Sequence, residues 1–223
     1  NMDFEFSDEQ EQLRDAVRRW VDKGFGFERR HALAKAGGKT REVLGELNEL
    51  GLAGLVVPDT HGGMGFGAIE AMVVMEELGR GLVNAPYAQA ALVAPALLSH
   101  APAELQQAWL PKIAGGEALV VLAQQERASR YNLDKVAVKA VEAGGACKLS
   151  GTKVVVPAGD EADAFIVSAR VSGSDSDPAG VALFVVDKGA AGTTLRGYPT
   201  QDGARAADLV LADTPATLLT TKG

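Results

Sequence analysis

Few residues in this sequence have the types and spacing that metal binding or nucleophilic catalysis requires. His31, His61 and His100 are too far apart to form a local metal-ligand motif, and the G-x-S-x-G sequence of a nucleophile elbow does not occur. The run from Gly62 to Gly67 precedes a predicted helix, but its spacing matches neither the dinucleotide fingerprint nor the phosphate loop. We therefore expect no metal site, and we interpret this run as a structural turn.

Acidic residues do not identify a general base either. Glu76 and Glu77 are adjacent on a predicted helix, where a solvent-exposed face accounts for at least one of them. Asp160, Glu161 and Asp163 have the composition of a hairpin turn. These residues by themselves assign no catalytic side chain.

Composition and charge are those of a globular protein and exclude several classes of function. Of the 223 residues, 47% are hydrophobic and 23% are charged. The net charge of −7, without a cluster of Lys or Arg, excludes nucleic acid as a partner because phosphate binding needs a basic patch. The longest apolar run is far shorter than the roughly 20 residues of a membrane helix, so no membrane span is predicted. The single Cys147 cannot form an internal disulfide, which makes a cytoplasmic location the default expectation.

The elements that must position any site change in character near residue 115. Ser7 and Gln10 have the spacing of a capping box. The helix that they begin carries its apolar residues on one face: Leu13, Ala16, Val17, Trp20 and Val21. Further helices are predicted over residues 28–36, 41–50, 68–79, 86–99 and 102–114, and residues 52–58 are expected to be extended. The first half of the chain is therefore expected to be helical.

After Gly115 and Gly116, short β-rich runs alternate with turn residues. The predicted strands are residues 119–123, 135–141, 147–149, 153–156, 164–169, 181–186 and 208–211. Six or seven antiparallel strands indicate a small barrel or sandwich. We therefore expect an α+β multidomain chain, with an all-α N-terminal domain over residues 2–115 and an antiparallel β-barrel or sandwich domain over residues 116–223.

Four segments, in this order and spacing, resemble the acyl-CoA dehydrogenase family. They are GLAGLVVP at 51–58 followed by GGMG at 62–65, EELGR at 76–80, WLPKIAGGE at 109–117, and LSGTK at 149–153. The resemblance covers essentially all of residues 2–223. It implies a flavoenzyme of fatty acid metabolism that binds FAD, oxidises an acyl-CoA thioester to the 2-enoyl-CoA, passes electrons to an electron-transfer flavoprotein and forms a homo- or hetero-oligomer.

The resemblance also implies which residues would contact the cofactor and the substrate. The family's flavin-binding T-E-P-x-A-G-S-D segment falls on residues 125–132, and its W-I-T segment falls on residues 155–157. The implied cofactor-binding residues are Leu122, Gln124, Gln125, Val155, Val156 and Pro157. The implied substrate-binding residues are Arg130 and Tyr131.

Two substitutions separate this sequence from the family's flavin motifs. Val155 replaces the indole, and Pro157 supplies neither a hydroxyl nor a backbone N–H. Gln125 partly compensates, because its amide both donates and accepts hydrogen bonds. Segments 126–131 and 198–203 resemble a divergent branch that includes small subunits of pimeloyl-CoA dehydrogenase type. A non-catalytic partner subunit of a heteromeric acyl-CoA dehydrogenase is therefore the alternative hypothesis, and an oxidase is a third.

Length is the larger departure from the family. Acyl-CoA dehydrogenases continue with a C-terminal helical bundle, which usually carries the catalytic Glu, and this sequence stops at Gly223. We therefore expect the bundle to be absent from this chain, no catalytic residue to lie within it, and the isolated chain to be inactive.

Overall fold

The structure, a computed structural model, describes residues 5–83, 85–127, 135–143 and 146–221. Its first half is helical, as predicted. The helices are α1 (Asp8–Gly24), α2 (Phe27–Lys35), α3 (Arg41–Glu49), α4 (Ala68–Arg80), α5 (Ala94–Leu98) and α6 (Ala103–Ala114). The predicted capping box begins α1: Ser7 Oγ accepts from the Gln10 N–H at 3.2 Å, and the Ser7 N–H donates to Gln10 Oε1 at 2.9 Å.

The helical core forms where the apolar faces of α1, α3 and α4 meet. Val17, Val43, Leu47 and Val74 are almost fully buried there. One carboxylate also enters this core, because Glu77 is only 2% exposed and accepts from Arg18 at 2.8 Å and from Arg80 at 3.0 Å. Its neighbour Glu76 is exposed, so the predicted solvent-exposed face holds only one of the two.

Two helical-half predictions need correction. Residues 52–58 are not extended, because Leu52–Gly54 forms a 3₁₀ turn. The glycine-rich run 62–67 folds back against the residues that follow this turn, so that a Cβ on Gly63 would overlap Val57. The predicted helix over 86–99 contains a π-helical segment, Ala88–Val93, before α5. Pro95 has no N–H for the carbonyl four residues earlier, so regular α-helical bonding cannot run through this region.

The second half is a seven-stranded sheet that closes on itself. Its strands are β1 (Val120–Ala123), β2 (Lys139–Ala143), β3 (Ala146–Pro157), β4 (Ala164–Arg170), β5 (Val181–Asp187), β6 (Thr193–Pro199) and β7 (Arg205–Thr221). β5 pairs with β4 along one edge and with β7 along the other, while β2 and β3 complete the circuit. Closure buries the inward-facing residues of β1, β3, β5 and β7, and β4 is buried throughout, while the described residues of β2 and β6 are at most partly buried.

Strand boundaries and directions differ from the predictions. β2 begins at Lys139 rather than at residue 135, and β7 extends over Arg205–Thr221 rather than residues 208–211. The turn expected at residues 150–151 is a bulge within the single long strand β3, where Gly151 has a φ of +140°. β6 was not predicted, because its alternation of partly exposed residues is weak. The sheet is mostly antiparallel, but β1 and β2 run parallel to β4.

The two halves meet through an apolar cluster and through polar contacts at its edge. Leu98 and Ile113 of the helical half pack in one cluster with Ile166 and Val185 of the sheet. The segment 160–163 is not the predicted hairpin turn, because the strands on either side of it, β3 and β4, do not pair. It contacts the other half instead: Glu161 accepts from the Thr40 N–H at 3.0 Å. The helical half is therefore held at a fixed position against the barrel.

Candidate functional site

The end of β1 lies beside the last residues of β3, and this contact builds the candidate site. The Gln125 carbonyl accepts from the Val154 N–H at 2.8 Å. The Gln124 carbonyl accepts from Lys153 Nζ at 3.3 Å. Two segments about 30 residues apart in sequence, both implied to face FAD, are thus neighbours in the structure.

A cleft of about 620 Å³ and a cleft of about 590 Å³ flank Val155. The smaller one, called here the strand cleft, is lined among the described residues by Gln125, Glu126, Arg127, Val154, Val155, Arg196, Tyr198 and Asp208. The larger one, the interdomain cleft, lies between the helical half, at Thr40, Pro86 and Gln89, and the sheet, at Val155, Pro157 and residues 200–206. Val155 is 47% exposed and lines both clefts.

A buried ion pair forms the floor beneath Gln125. Lys153 is fully buried and donates to Glu126 Oε2 at 2.6 Å and to Ser168 Oγ at 2.9 Å. Glu126 Oε1 also accepts from the Ala137 N–H at 2.9 Å. Burial lowers the pKa of Lys153, and the Glu126 carboxylate opposes that effect. The pair joins four segments of the chain, at residues 126, 137, 153 and 168, below the strand cleft.

The backbone at Val155 is held in an unusual conformation. Its φ is +51°, a left-handed value that is rare for a β-branched residue. Its N–H donates to Tyr198 Oη at 3.2 Å and to Asp208 Oδ1 at 3.4 Å, while the Tyr198 hydroxyl donates to Asp208 at 2.9 Å. Side chains from β6 and β7 therefore fix the bend that forms the wall of both clefts.

These hydrogen bonds, together with burial, set the protonation states of Tyr198 and Asp208. Burial, and then the hydrogen bond to Asp208, raises the pKa of Tyr198. Burial by itself would raise the pKa of Asp208, but the hydrogen bonds from Tyr198, Arg196 and the Val155 N–H outweigh it and lower that pKa. Near neutral pH the hydroxyl is therefore protonated and the carboxylate is ionised.

Three of the implied cofactor-binding residues line a cleft. Gln125 lines the strand cleft, Pro157 lines the interdomain cleft, and Val155 lines both. Within the described residues, the Gln125 side chain makes no hydrogen bond, which leaves its amide available to a ligand.

The other implied residues are placed differently. Leu122 packs beside the apolar cluster between the halves, Gln124 is exposed, and the Val156 side chain is buried in the barrel core. None of these three lines either cleft. Arg130 and Tyr131, implied to bind substrate, lie outside the described residues.

Sequence reasoning missed Tyr198, Asp208 and Arg196 as site residues. Tyr198 and Asp208 are distant from Val155 in sequence, and only the pairing of β6 with β7 and of β7 with β3 brings them to it. The one local signal was an aromatic residue two positions from an arginine, in a run whose hydrophobic alternation is weak. It is weak, because the same pattern is common on solvent-exposed faces.

The described residues offer neither a metal-ligand group nor a membrane-spanning helix. Across the described ranges, no three His, Cys, Asp or Glu residues are grouped so that they could hold a metal ion. No helix in the same ranges is long and apolar enough to cross a membrane.

Family models match most of the chain. The N-terminal domain of acyl-CoA dehydrogenase matches residues 7–117, and the middle domain of acyl-CoA dehydrogenase matches residues 122–213. Among curated proteins, the chain is similar to mitochondrial isovaleryl-CoA dehydrogenase of Pongo abelii, with 31% identity over 83% of this chain and 45% of that protein. The chain spans about half the length of most of the curated relatives it matches.

Solved structures agree with this similarity. A chain of the ChsE4-ChsE5 complex from Mycobacterium tuberculosis has a TM-score of 0.85 and 27% identity, covering 99% of this chain and 59% of that one. Acyl-CoA dehydrogenase from Geobacillus kaustophilus has a TM-score of 0.87, covers 98% of this chain and 60% of that one, and, at 23% identity, shows the shared fold alone.

Proposed function

Because this chain belongs to the acyl-CoA dehydrogenase family, we propose that it takes part in the FAD-dependent α,β-dehydrogenation of an acyl-CoA thioester, with electrons passed to an electron-transfer flavoprotein. The observation that carries the proposal is the meeting of Gln125 and Val155 in one cleft. Neither residue would be near the other without the contact between β1 and β3. The two family-matched segments thus form one site.

The described residues fit a planar, polar ring system such as the flavin. The strand cleft, at about 590 Å³, falls within the usual range for small-molecule sites of about 300–1,000 Å³. Val154 and Val155 give it an apolar wall, and the Gln125 amide, without a hydrogen bond in the described part of the chain, can donate to and accept from a ring edge. Val155 is smaller than the family's indole and so leaves more room.

When bound, FAD supplies the acceptor for the hydride that leaves the acyl chain. The chain's own residues bind and orient. Gln125 would hold the polar edge of the ring and Val155 would exclude water from one side, while the buried Lys153–Glu126 pair keeps Gln125 in register with β3. The base that removes the α-proton is not assigned to any described residue.

Pro157 favours a second candidate function, that of a non-catalytic partner subunit in a heteromeric acyl-CoA dehydrogenase. Pro157 has neither a hydroxyl nor an N–H. The two donors that the threonine of the family's W-I-T segment would offer a flavin are therefore missing at this position. The similarity to a chain of a two-component complex supports the same candidate.

The test is the visible spectrum of the protein expressed from its complete reading frame and purified without added cofactor. We expect a flavin spectrum near one FAD per chain, bleached under anaerobic conditions by a thioester from a panel of acyl-CoAs. Reoxidation by an electron-transfer flavoprotein rather than by oxygen would separate a dehydrogenase from an oxidase. A colourless protein that also fails to take up FAD would contradict the proposal and favour the partner subunit.

A matched pair of variants tests the role of Gln125. We expect Gln125→Ala to weaken FAD binding about 2- to 10-fold, because it removes one net hydrogen bond of about 0.5–1.5 kcal/mol. Gln107→Ala, on the exposed face of α6, is the control and should leave the affinity unchanged. FAD titration followed by flavin fluorescence measures both. Equal affinities in the two variants would remove Gln125 from the site.

A further inference from the structure

We propose that Tyr198 is a positioning residue of the strand cleft, which acts through Val155 to fix the wall against which a planar ligand lies. The inference rests on the proposed function for the identity of that ligand, FAD. It concerns a residue outside the segments through which the sequence resembles the family's flavin motifs. Tyr198 lies on β6, opposite Ala206 of β7.

The Tyr198 hydroxyl donates one hydrogen bond and accepts another, and so links Asp208 to Val155. It donates its one hydrogen to Asp208 Oδ1 at 2.9 Å, which leaves its oxygen lone pairs to accept from the Val155 N–H at 3.2 Å. The contact between Val155 and Asp208 is longer, at 3.4 Å. Removing the hydroxyl therefore breaks two hydrogen bonds at once and leaves the Val155 N–H with only its weaker acceptor.

The bridge matters because Val155 does not adopt its backbone conformation freely. A φ of +51° places a β-branched residue in the left-handed region, which costs about 1–3 kcal/mol unless the surroundings determine it. The β3–β7 ladder holds the residues on both sides of Val155, and the hydrogen bonds from the 155 backbone to side chains of β6 and β7 hold the bend itself. Without them, Val155 can relax toward an extended conformation, which moves the wall shared by the two clefts.

The ring of Tyr198 adds a second contribution. Among the described residues that line the strand cleft, Tyr198 is the only aromatic one, and Val155 stands where the family has an indole. The Arg196 guanidinium lies 5.7 Å from the centre of the Tyr198 ring and also pairs with Asp208 at 3.2 Å. The hydrogen bond from the Tyr198 hydroxyl to Asp208 fixes the far end of the ring, while Arg196, whose side chain is largely exposed, only covers it from the solvent side.

The experiment compares Tyr198→Phe with Tyr87→Phe, which is the same chemical change in the helical half. Tyr87 is buried, donates to the Leu52 carbonyl at 2.7 Å and lines neither cleft. Two readouts are taken on the complete protein: the hydrogen-exchange rate of the Val155 amide by NMR, and the position and shape of the flavin absorption bands together with the FAD dissociation constant. The melting temperature of each variant shows whether it is folded.

We expect Tyr198→Phe to speed exchange at Val155 about 2- to 10-fold, to weaken FAD binding by a similar factor and to shift the flavin bands. Tyr87→Phe should do none of these, even if it lowers the melting temperature. Asp208→Asn, which keeps an acceptor oxygen, should speed exchange less than Asp208→Ala. This rescue identifies the hydrogen bond, rather than general loosening, as the cause.

The outcomes separate this inference from the proposed function. If the wild-type protein binds FAD and Tyr198→Phe matches it in affinity, spectrum and exchange, the positioning role is wrong. If the wild-type protein takes up no FAD, the proposed function fails, and the exchange rate alone decides the role of Tyr198. Unchanged exchange at Val155 then overturns the inference, and faster exchange, confined to Tyr198→Phe, supports it.

Discussion

Glu77 and Glu126 are buried carboxylates whose charge is balanced in different ways. Glu126 faces one fully buried lysine and backbone N–H groups, so its charge is compensated within the barrel. Glu77 faces two arginines, Arg18 and Arg80, whose side chains reach it from solvent. A buried charge is tolerated only when it is paired, and each pair fixes segments that are distant in sequence.

The Glu77 cluster predicts an acid-dependent loss of stability. Burial alone would raise the pKa of Glu77 above its ordinary value of 4.5, but the hydrogen bonds and charges of Arg18 and Arg80 outweigh it, so the net shift is downward. The unfolded chain therefore takes up this proton first as the pH falls. The contribution is present above about pH 4.5 and is lost as the pH falls through the lower, folded-state pKa.

Urea unfolding at several pH values from 7 to 3 measures this contribution. Glu77→Gln should lower the free energy of unfolding at pH 7 and give a flatter dependence on pH at the acid end. Glu76→Gln, at the exposed neighbouring position, is the control and should keep the wild-type slope. Parallel pH profiles for wild type and Glu77→Gln would show that Glu77 carries no such linkage.

At the scale of elements, the loop after α2 passes very close to the turn between β6 and β7. Gly38 has a φ of +77°, and a Cβ on it would lie 2.5 Å from the Gly203 carbonyl oxygen and 2.6 Å from that of Ala204. The helical half can approach the barrel here only because this residue has no side chain. Arg205 reinforces the approach by donating to the Gly37 carbonyl at 3.0 Å.

Gly38→Ala should therefore destabilise the protein by more than about 1 kcal/mol, through both the left-handed backbone and the overlap. Gly45→Ala is the matched substitution, because Gly45 lies on the exposed face of α3 with nothing near its missing Cβ. That change should stabilise the protein by about 0.5–1 kcal/mol, since alanine favours helix. Thermal unfolding of both variants checks the pair, and equal melting temperatures would refute the close approach.

At the scale of the whole molecule, a carboxylate of the sheet half caps a helix of the other half. Glu161 accepts from the N–H groups of Thr40 and Arg41 at the start of α3, while Arg41 donates to Asp163 at 3.0 Å. Thr40 itself makes no side-chain cap of α3. The stability of a helix in one half therefore depends on docking against the other.

Loss of this cap should cost about 0.5–2 kcal/mol, the usual value for an N-terminal cap. Glu161→Ala tests it by calorimetry, and Asp187→Ala, at the exposed end of β5, is the control. We expect a lower and broader transition for Glu161→Ala, because the two halves are less tightly coupled. A transition identical to that of Asp187→Ala would mean that the cap contributes nothing to docking.

Local patterns in the sequence determined the order of the elements. The capping box at Ser7, the periodic apolar face of α1 and the short, nearly continuous apolar runs of β4 and β5 are all local patterns, so a helical half followed by a β half was predictable. The four glycines within residues 62–67 also predicted a turn there. The family resemblance added which segments should face a cofactor.

Only the tertiary structure decided how those segments meet. The bulged strand β3 continues through Gly151, and the edge strand β6 has no strong hydrophobic alternation, so neither could be recognised from local pattern. Gln125, Val155 and Tyr198 belong to three separate stretches of chain, and pairing between distant strands brings them to one cleft. The physical reason is that strand pairing is settled by barrel closure and long-range burial, which periodicity within a single segment does not encode.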